Sequence, residues 1–298
     1  MFNLSATLRR IDWILFSAIG ILAALGLLAI WSVDLAQDPD QLFNFKKQLV
    51  VVGMGFIVAL GFAMIDFRAW RSLTRALYIL GAVALVGVIL FGVTVNGTRG
   101  WLPVFGYTVQ PVEFTKVVLI VVIANYLDRK AHIVDLKVML GVGILGGLYT
   151  ALTLAQPDMG SALVLLTITF GMVLFANIPK RYLGGGIIAV AVVALLSWQF
   201  FLRDYQKERV LSFLDPGRDP FGHGYNIRQS VIAVGAGGLT GRGLGQGSQS
   251  QLRFLPEAQT DFVFAVIAEQ LGLFGVLLVL GAYGVIVWRI AQLLRAIT

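Results

Sequence analysis

One stretch joins the longest polar segment of the chain to an apolar run: Phe254-Leu-Pro-Glu-Ala-Gln-Thr-Asp261, followed directly by Phe262-Val-Phe-Ala265. The segment before it is polar and glycine-rich, and the segment after it is mostly apolar as far as Trp288. Apolar runs of about 20 residues are long enough to cross the ~30 Å hydrocarbon core of a bilayer. The junction therefore predicts a membrane helix with the Asp261 carboxylate at its watery end.

The composition extends this prediction to the whole chain. Of 298 residues, 58% are hydrophobic and 13% are charged, which is too little charge to cover a soluble domain of this length. No cysteine is present, so disulfides, thiolate nucleophiles and cysteine metal sites are excluded. The net charge of +7 does not indicate a nucleic-acid partner, because basic residues collect in the cytoplasmic loops of membrane proteins.

The apolar runs are continuous and do not alternate with polar residues, which favours helices over strands. We expect an all-α polytopic membrane protein with about eight transmembrane helices in a single domain, residues 1–298. The expected spans are residues 11–33, 49–65, 76–95, 111–126, 138–155, 160–176 and 182–202, and a last span from beyond Asp261 to about 288.

Lysine and arginine are concentrated on one side of these spans, and the positive-inside rule assigns that side to the cytoplasm. Both termini are then cytoplasmic. Lys46 and Lys47 fall on the opposite side and count against the assignment, but the other basic residues outnumber them. The chemically unusual residues share the outer side: Arg99, Glu113, Lys116, Asp158 and Asp261.

The outer segment 203–261 has about 60 residues, and connections of that length are usually functional or disordered. Its aromatic residues favour a functional, extracytoplasmic loop, and residues 226–236 predict a short, half-apolar helix at the membrane interface. Its modestly basic balance fits an anionic ligand, lipid headgroups or a merely solvated surface. Arg242 lies within a glycine series that could form a backbone nest for phosphate oxygens; the series consists of Gly235, Gly237, Gly238, Gly241, Gly243, Gly245 and Gly247. It matches no nucleotide-binding motif.

Asp261 has two possible roles. A carboxylate near a helix N-terminus is favoured by the helix dipole alone. The same group at a membrane–water boundary could act as a general base or hold a divalent cation. Glu269 follows eight residues later, about 12 Å along an unbroken helix, which makes it a supporting candidate rather than a direct partner.

Two further segments carry charge close to the membrane. Glu113 and Lys116 are three residues apart in Gln110-Pro-Val-Glu-Phe-Thr-Lys116, so they share a helix face and can pair. The pair either locks helices together or leaves Lys116, with Arg99, facing a cavity that binds an anion. Asp158 follows a proline in a tight turn and has either a structural role there or a place in the same outer site. Gly141, Gly143 and Gly146 match GxGxxG inside an apolar span, where close helix packing is the expected use.

Taken together, these stretches resemble the SEDS proteins, the family of FtsW, RodA and SpoVE. The opening Leu8-Arg-Arg-Ile-Asp-Trp13 and the segment Gln246-Gly-Ser-Gln-Ser250 are more similar to RodA than to FtsW. The resemblance covers nearly the whole chain in order, through Asn96-Gly-Thr-Arg-Gly-Trp101, Gln110–Lys116, Gln156-Pro-Asp-Met-Gly160, Tyr205-Gln-Lys-Glu-Arg209, Asp219-Pro-Phe-Gly-His-Gly-Tyr225, the glycine series and Leu255–Phe262.

The resemblance implies a peptidoglycan glycosyltransferase of the bacterial cytoplasmic membrane. Such an enzyme polymerises lipid II, an undecaprenyl-pyrophosphate disaccharide-pentapeptide, into β-1,4 glycan at the outer membrane face. Asp261 corresponds to the aspartate that would activate the acceptor 4-hydroxyl. Glu113, Lys116 and Asp158 match positions that line or support the family's cavity. To these we add our own candidates for pyrophosphate contacts, Arg99, Lys116, Arg209 and Arg242, and we keep Glu269 as a supporting candidate.

The resemblance also implies partners and alternatives. A class B penicillin-binding protein, the elongation machinery and membrane lipids are the expected partners. A divalent cation, Mg²⁺ or Mn²⁺, is compatible with the site, but no ligand set in the sequence requires it. The family normally has about ten spans, so we expect two C-terminal helices to be missing here. A lipid II flippase and a non-catalytic scaffold for a transpeptidase are the alternative functions.

Overall fold

The computed structural model describes most of the chain. The described residues are 11–37, 42–65, 67–95, 98–104, 107–130, 135–174, 184–186, 188, 192, 195, 198–199, 204–215, 217 and 222–297. They divide into two compact units: Met1–Met64 with Leu202–Thr298, called unit 1, and Ile65–Phe201, called unit 2. Whether the two units act as the single expected domain stays a prediction.

The described part of unit 1 contains two long helices near the N-terminus, three helices in the segment expected to be an outer loop, and one further long helix. These are α1 (Trp13–Gln37), α2 (Phe43–Met64), α7 (Asp204–Leu214), α8 (His223–Gly237), α9 (Ser248–Gln251) and α10 (Val263–Ile297). Helix α10 packs against α1 and α8. Their shared core includes Val33, Ala233, Leu255 and Val266, so the polar segment before α10 is anchored in the helix bundle.

The described part of unit 2 contains four complete helices and a small sheet. These are α3 (Phe67–Phe91), β1 (Val93–Val95), β2 (Thr98–Val104), β3 (Tyr107–Val109), α4 (Pro111–Lys130), α5 (Leu136–Leu154) and α6 (Met159–Leu174). The core lies between the four helices and is centred on Leu85, Leu119, Tyr149 and Leu165. Helix α4 begins at Pro111 as predicted, because proline fits the first turn of a helix, where its missing N–H has no partner to lose.

The sheet corrects the expectation that strands are absent. The three strands pair antiparallel in the order β1-β2-β3, with Val93 opposite Trp101 and Leu102 opposite Val109. Strands β2 and β3 lie between the third and fourth expected spans, and β1 takes the last three residues of the third. The argument from continuous apolar runs was sound for the spans, but it says nothing about the connections between them.

The membrane prediction is confirmed in kind. Five described helices are long and apolar enough to cross a bilayer: α1, α2, α5, most of α3 and α10. Helix α6 is apolar but shorter, and α4 carries charge at both ends. The expected span 182–202 lies largely outside the described residues, so the count of about eight spans stays a prediction.

Glycine packing inside unit 2 agrees with the sequence argument. A Cβ at Gly141 would overlap the Tyr126 hydroxyl, and one at Gly146 would overlap the Thr169 side chain. Two of the three glycines in the GxGxxG match are therefore needed for close helix contact. The expected helix at 226–236 is also confirmed, as part of α8.

Candidate active site

Asp261 lies in a turn two residues before the start of α10. The carbonyl oxygen of Glu257 closes this turn by accepting hydrogen bonds from the backbone N–H groups of Thr260, Asp261 and Phe262 at 3.1–3.3 Å. Asp261 is exposed, and no side chain or backbone group in the described part of the chain donates to its carboxylate. The turn fixes the backbone and leaves the carboxylate available to a ligand.

Glu269 supports this region from within α10. It is fully buried, and its two carboxylate oxygens accept hydrogen bonds from the backbone N–H groups of Gln249 at 2.8 Å and Ser250 at 3.1 Å. These N–H groups belong to α9, whose N-cap is Gly247, and a Cβ at Gly247 would overlap Glu269. Glu269 therefore stabilises the short helix that leads into the Asp261 turn, and its oxygens are already occupied.

Polar side chains at the end of α1 hold the same region, and the sequence argument missed them. The Ser32 carbonyl accepts from Gln251 at 3.1 Å, and the Ser32 hydroxyl lies 2.8 Å from the Gln270 side-chain oxygen. Asp34 is buried and accepts from Gln259. A buried carboxylate needs compensating hydrogen bonds, so an acid near the end of an apolar run was the available signal for Asp34.

The glycine series joins the loop to a break in α10 at Gly272, where the backbone adopts φ 63°. The N–H groups of Arg242 and Gly243 donate to the carbonyls of Glu269 at 2.9 Å and Gln270 at 3.0 Å, and Leu273 N–H donates to Gly238 at 2.9 Å. These donors are used inside the protein. The suggested phosphate nest is therefore wrong for these two N–H groups. The Arg242 side chain is exposed and donates once, to the Ala236 carbonyl.

In unit 2 the predicted residues Lys116 and Asp158 share one cavity of about 350 Å³. Its lining combines them with neighbouring sheet, turn and helix residues: Val95, Thr98, Trp101, Gln110, Gly160 and Ser161. The cavity therefore contains one cation, one carboxylate, an amide and an aromatic ring. That set suits a ligand with both sugar and anionic parts.

The charged groups at this cavity are already paired. The Lys116 ammonium lies 2.7 Å from the Glu113 carboxylate, and the Lys116 side chain is only 18% exposed. Asp158 accepts from the Ser161 N–H at 3.0 Å, which caps α6, and from the Gln110 side chain at 3.0 Å. The predicted Glu113–Lys116 pair is confirmed, and Asp158 has a structural role as well as a place in the cavity wall.

Arg99 caps the end of α3. Its guanidinium donates to the carbonyls of Gly92 at 3.0 Å and Leu90 at 3.2 Å, which would otherwise be unpaired at the helix C-terminus. Its backbone N–H donates to the Gln156 carbonyl at 3.3 Å, joining β2 to the turn that carries Asp158. The described residues accept from two of its five guanidinium N–H donors, and the other three are available to a ligand as far as the described structure extends.

Two expectations are not tested by this geometry. The Arg209 side chain lies outside the described residues. Within the described part of the chain, no group of three or more His, Cys, Asp and Glu side chains could hold a metal ion, so the divalent cation stays a prediction. Of the other predicted residues, unit 1 contains Asp261, Glu269 and Arg242, and unit 2 contains Arg99, Glu113, Lys116 and Asp158.

Comparison with known proteins identifies the family. The family model for FtsW, RodA and SpoVE, described as "Cell cycle protein", matches residues 8–298. The chain belongs to this family. Family membership agrees with the motifs in both units, since the match runs through the Asp261 turn and the Lys116 cavity alike.

Relatives within the FtsW/RodA/SpoVE family cover most of the chain. It is 33% identical to a probable peptidoglycan glycosyltransferase FtsW of Thiomicrospira cyclica, over 97% of this chain and 75% of that protein. It is 36% identical to the peptidoglycan glycosyltransferase MrdB of Escherichia coli K12, over 88% of this chain and 70% of that protein.

Solved structures of the family show the same fold. The chain matches a chain of a peptidoglycan synthase complex that coordinates polymerization and crosslinking, with a TM-score of 0.75, 31% identity, and coverage of 96% of this chain and 79% of the other. The rod shape determining protein RodA of Thermus thermophilus matches with a TM-score of 0.67, 26% identity, and coverage of 96% and 76%. The multi-pass membrane fold is therefore that of the family.

Proposed function

We propose that this chain is a peptidoglycan glycosyltransferase that polymerises lipid II into β-1,4 glycan strands for cell elongation and cell shape. The names of its relatives support the activity. The single structural observation that supports it is the exposed Asp261 carboxylate, which receives no hydrogen bond from the described residues on a turn that is otherwise fixed. A general base needs a lone pair that no internal donor occupies.

In the proposed reaction, Asp261 accepts the proton of the acceptor sugar's 4-hydroxyl. The freed oxygen attacks the anomeric carbon of the donor, the bond from that carbon to the pyrophosphate oxygen breaks, and undecaprenyl pyrophosphate leaves. A single displacement inverts the anomeric centre, from an α-linked donor to a β-linked product. A divalent cation at the pyrophosphate would stabilise the leaving group.

The basic residues have donors left for an anionic substrate. An ammonium has three N–H donors, and Lys116 uses one on Glu113. Arg99 uses two of its five donors on carbonyls, and Arg242 uses one. We assign Lys116, Arg99 and Arg242 as pyrophosphate contacts, with Arg209 as a further candidate. Glu113 and Asp158 hold the cavity in shape and keep its charge balanced.

The same proposal includes location and partners. The enzyme lies in the bacterial cytoplasmic membrane with both termini in the cytoplasm and the site on the outer face, as the distribution of basic residues predicts. A class B penicillin-binding protein is the proposed crosslinking partner. Support comes from the similar chain in a complex that polymerises and crosslinks peptidoglycan. Membrane lipids and the elongation machinery are the other proposed partners.

The test uses the purified chain, reconstituted with its partner, and lipid II as the only substrate. We expect Asp261→Ala to reduce glycan polymerisation at least about 100-fold, the lower range for loss of a general base. Glu257→Gln is the matched control, because it neutralises another exposed acid on the same turn and retains an oxygen for Thr260. We expect that control to stay close to the wild-type rate.

Other outcomes separate the alternative functions. Unchanged glycan synthesis by Asp261→Ala would overturn the glycosyltransferase proposal. Lipid II transport by the wild-type chain in sealed vesicles, without polymerisation, would establish the flippase. Neither activity, with partner binding intact, would establish the scaffold.

A further inference from the structure

Asp34 lies near the end of α1 and is only 4% exposed. Its Oδ1 accepts hydrogen bonds from the Gln259 side chain at 2.8 Å and from the Asn44 side chain at 3.0 Å. Its Oδ2 accepts from the Phe45 backbone N–H at 2.7 Å. Three donors compensate for the cost of burying a carboxylate. They also join three separate segments: the end of α1, the start of α2 and the Asp261 turn.

Gln259 makes the connection to the turn. It lies two residues before Asp261 in the sequence. The core residues Leu255 and Ala258 precede it, and α10 begins four residues after it, at Val263. Among the described side chains of residues 254–262, Gln259 alone hydrogen-bonds to another element, because Thr260 bonds only to Glu257 within the turn. The Asp34–Gln259 bond therefore fixes the turn against α1 close to the reacting carboxylate.

We infer that Asp34 is a positioning residue for Asp261 and acts through Gln259. The inference rests on the proposed function. A displacement of about 1 Å in a reacting group can reduce a rate about 100-fold, and the hydrogen bond from Gln259 restrains the backbone on which Asp261 stands. Loss of this bond should reduce the chemical step and leave substrate binding largely intact, because neither Asp34 nor Gln259 is proposed to contact lipid II.

Asp34 alone is a poor test, since its removal would also release the start of α2. Asn44 supplies the control that separates the two roles. Gln259 and Asn44 both donate a side-chain amide to the same Asp34 oxygen, but only Gln259 belongs to the Asp261 turn. Replacing either with leucine removes one hydrogen bond from the same carboxylate, so the two variants should lose similar stability.

The experiment compares wild type, Gln259→Leu, Asn44→Leu and Asp261→Ala for kcat and KM with lipid II, and for the thermal unfolding midpoint. We expect Gln259→Leu to lower kcat about 10- to 100-fold with KM within about twofold. Asn44→Leu should keep kcat within about twofold of the wild-type value, although its unfolding midpoint should be similar to that of Gln259→Leu. Equal kcat values for the two leucine variants would overturn the inference.

A charge exchange gives a second test. Gln259→Glu places a second carboxylate against Asp34 and should reduce kcat more than Gln259→Leu. Adding Asp34→Asn restores a donor–acceptor pair, and we expect kcat to rise at least about fivefold above the single variant, a coupling typical of contacting residues. No rise would count against positioning.

The two proposals fail in different ways. Wild-type polymerisation by Asp261→Ala overturns the proposed function. An inactive Asp261→Ala together with a fully active Gln259→Leu overturns only the positioning role.

Discussion

The Asp261 turn in unit 1 and the Lys116 cavity in unit 2 differ in whether their charged groups have hydrogen-bond partners. At the cavity, Lys116 is paired with Glu113, and Asp158 accepts from Gln110 and from the start of α6. In the turn, Asp261 receives no hydrogen bond from the described residues. In this turn, hydrogen bonds hold the backbone around Asp261 rather than its carboxylate.

The difference separates two kinds of functional residue. A paired charge costs less to bury than an unpaired one and shapes a binding surface, but its lone pairs and protons are partly occupied. A general base must keep at least one lone pair for substrate. The proposed role of Asp261 agrees with a turn whose backbone is hydrogen-bonded while its carboxylate accepts nothing from the described residues. In unit 1, stabilisation around this turn comes from buried acids, Glu269 and Asp34, which never need to meet substrate.

The largest expected stability effect distinguishes two acids of unit 1, Glu269 and Asp261. Glu269→Ala leaves the buried N–H groups of Gln249 and Ser250 unpaired, and we expect a loss of about 4 kcal/mol in the free energy of unfolding. Asp261→Ala should stay within about 0.5 kcal/mol of wild type. Denaturant unfolding in detergent measures both, and Glu269→Gln, which keeps one acceptor, should fall between them. Equal stabilities would contradict the distinction.

The next prediction tests whether the glycine series allows close packing against α10. Gly241 and Gly245 both have positive φ, at 79° and 71°, but only at Gly241 would a Cβ overlap the backbone of α10. We expect Gly245→Ala to cost about 1 kcal/mol from backbone strain alone. Gly241→Ala should cost about 3 kcal/mol, because the steric overlap adds to that strain. Similar unfolding midpoints for the two variants would show that the contact with α10 is unimportant.

A smaller effect is expected at the cavity. Asp158→Ala removes the cap of α6 and the acceptor for Gln110, which should cost about 1 kcal/mol. Asp158→Asn keeps the capping oxygen, and a rotated Gln110 can still pair with it, so stability and polymerisation should both stay near wild type. A stable but inactive Asp158→Asn would instead give the cavity acid a chemical role and weaken the contrast with Asp261.

The smallest effect concerns the ion pair between Asp12 and Arg289 in unit 1. The Leu15 backbone N–H and then Arg289 hold the pKa of Asp12 below its ordinary value of 3.8. A lowered pKa in the folded state gives stability that is present above pH 3.8 and is lost as the pH falls through the folded-state pKa. Thermal midpoints measured between about pH 5 and pH 2.5 should fall less for Asp12→Asn than for wild type. Parallel curves would contradict the assignment.

Local patterns in the sequence predicted several features of the fold and of the candidate site. The three-residue spacing of Glu113 and Lys116 predicted their ion pair, Pro111 predicted the start of α4, and residues 226–236 predicted part of α8. The sheet was missed because it lies in a connection where the apolar-run argument has no force. The use of the glycine series was missed because it depends on a break in α10 at Gly272, about 30 residues away.

The sequence by itself determined the membrane class, the family and the position of Asp261 at the start of the last helix. All three follow from hydropathy and from short motifs, each of which is only a few residues long. Only the tertiary structure showed what supports that aspartate. Asp34 and Gln259 are 225 residues apart, and Glu269 reaches α9 across 20. Hydrogen bonds between such distant residues depend on how helices pack, and no local pattern encodes that packing.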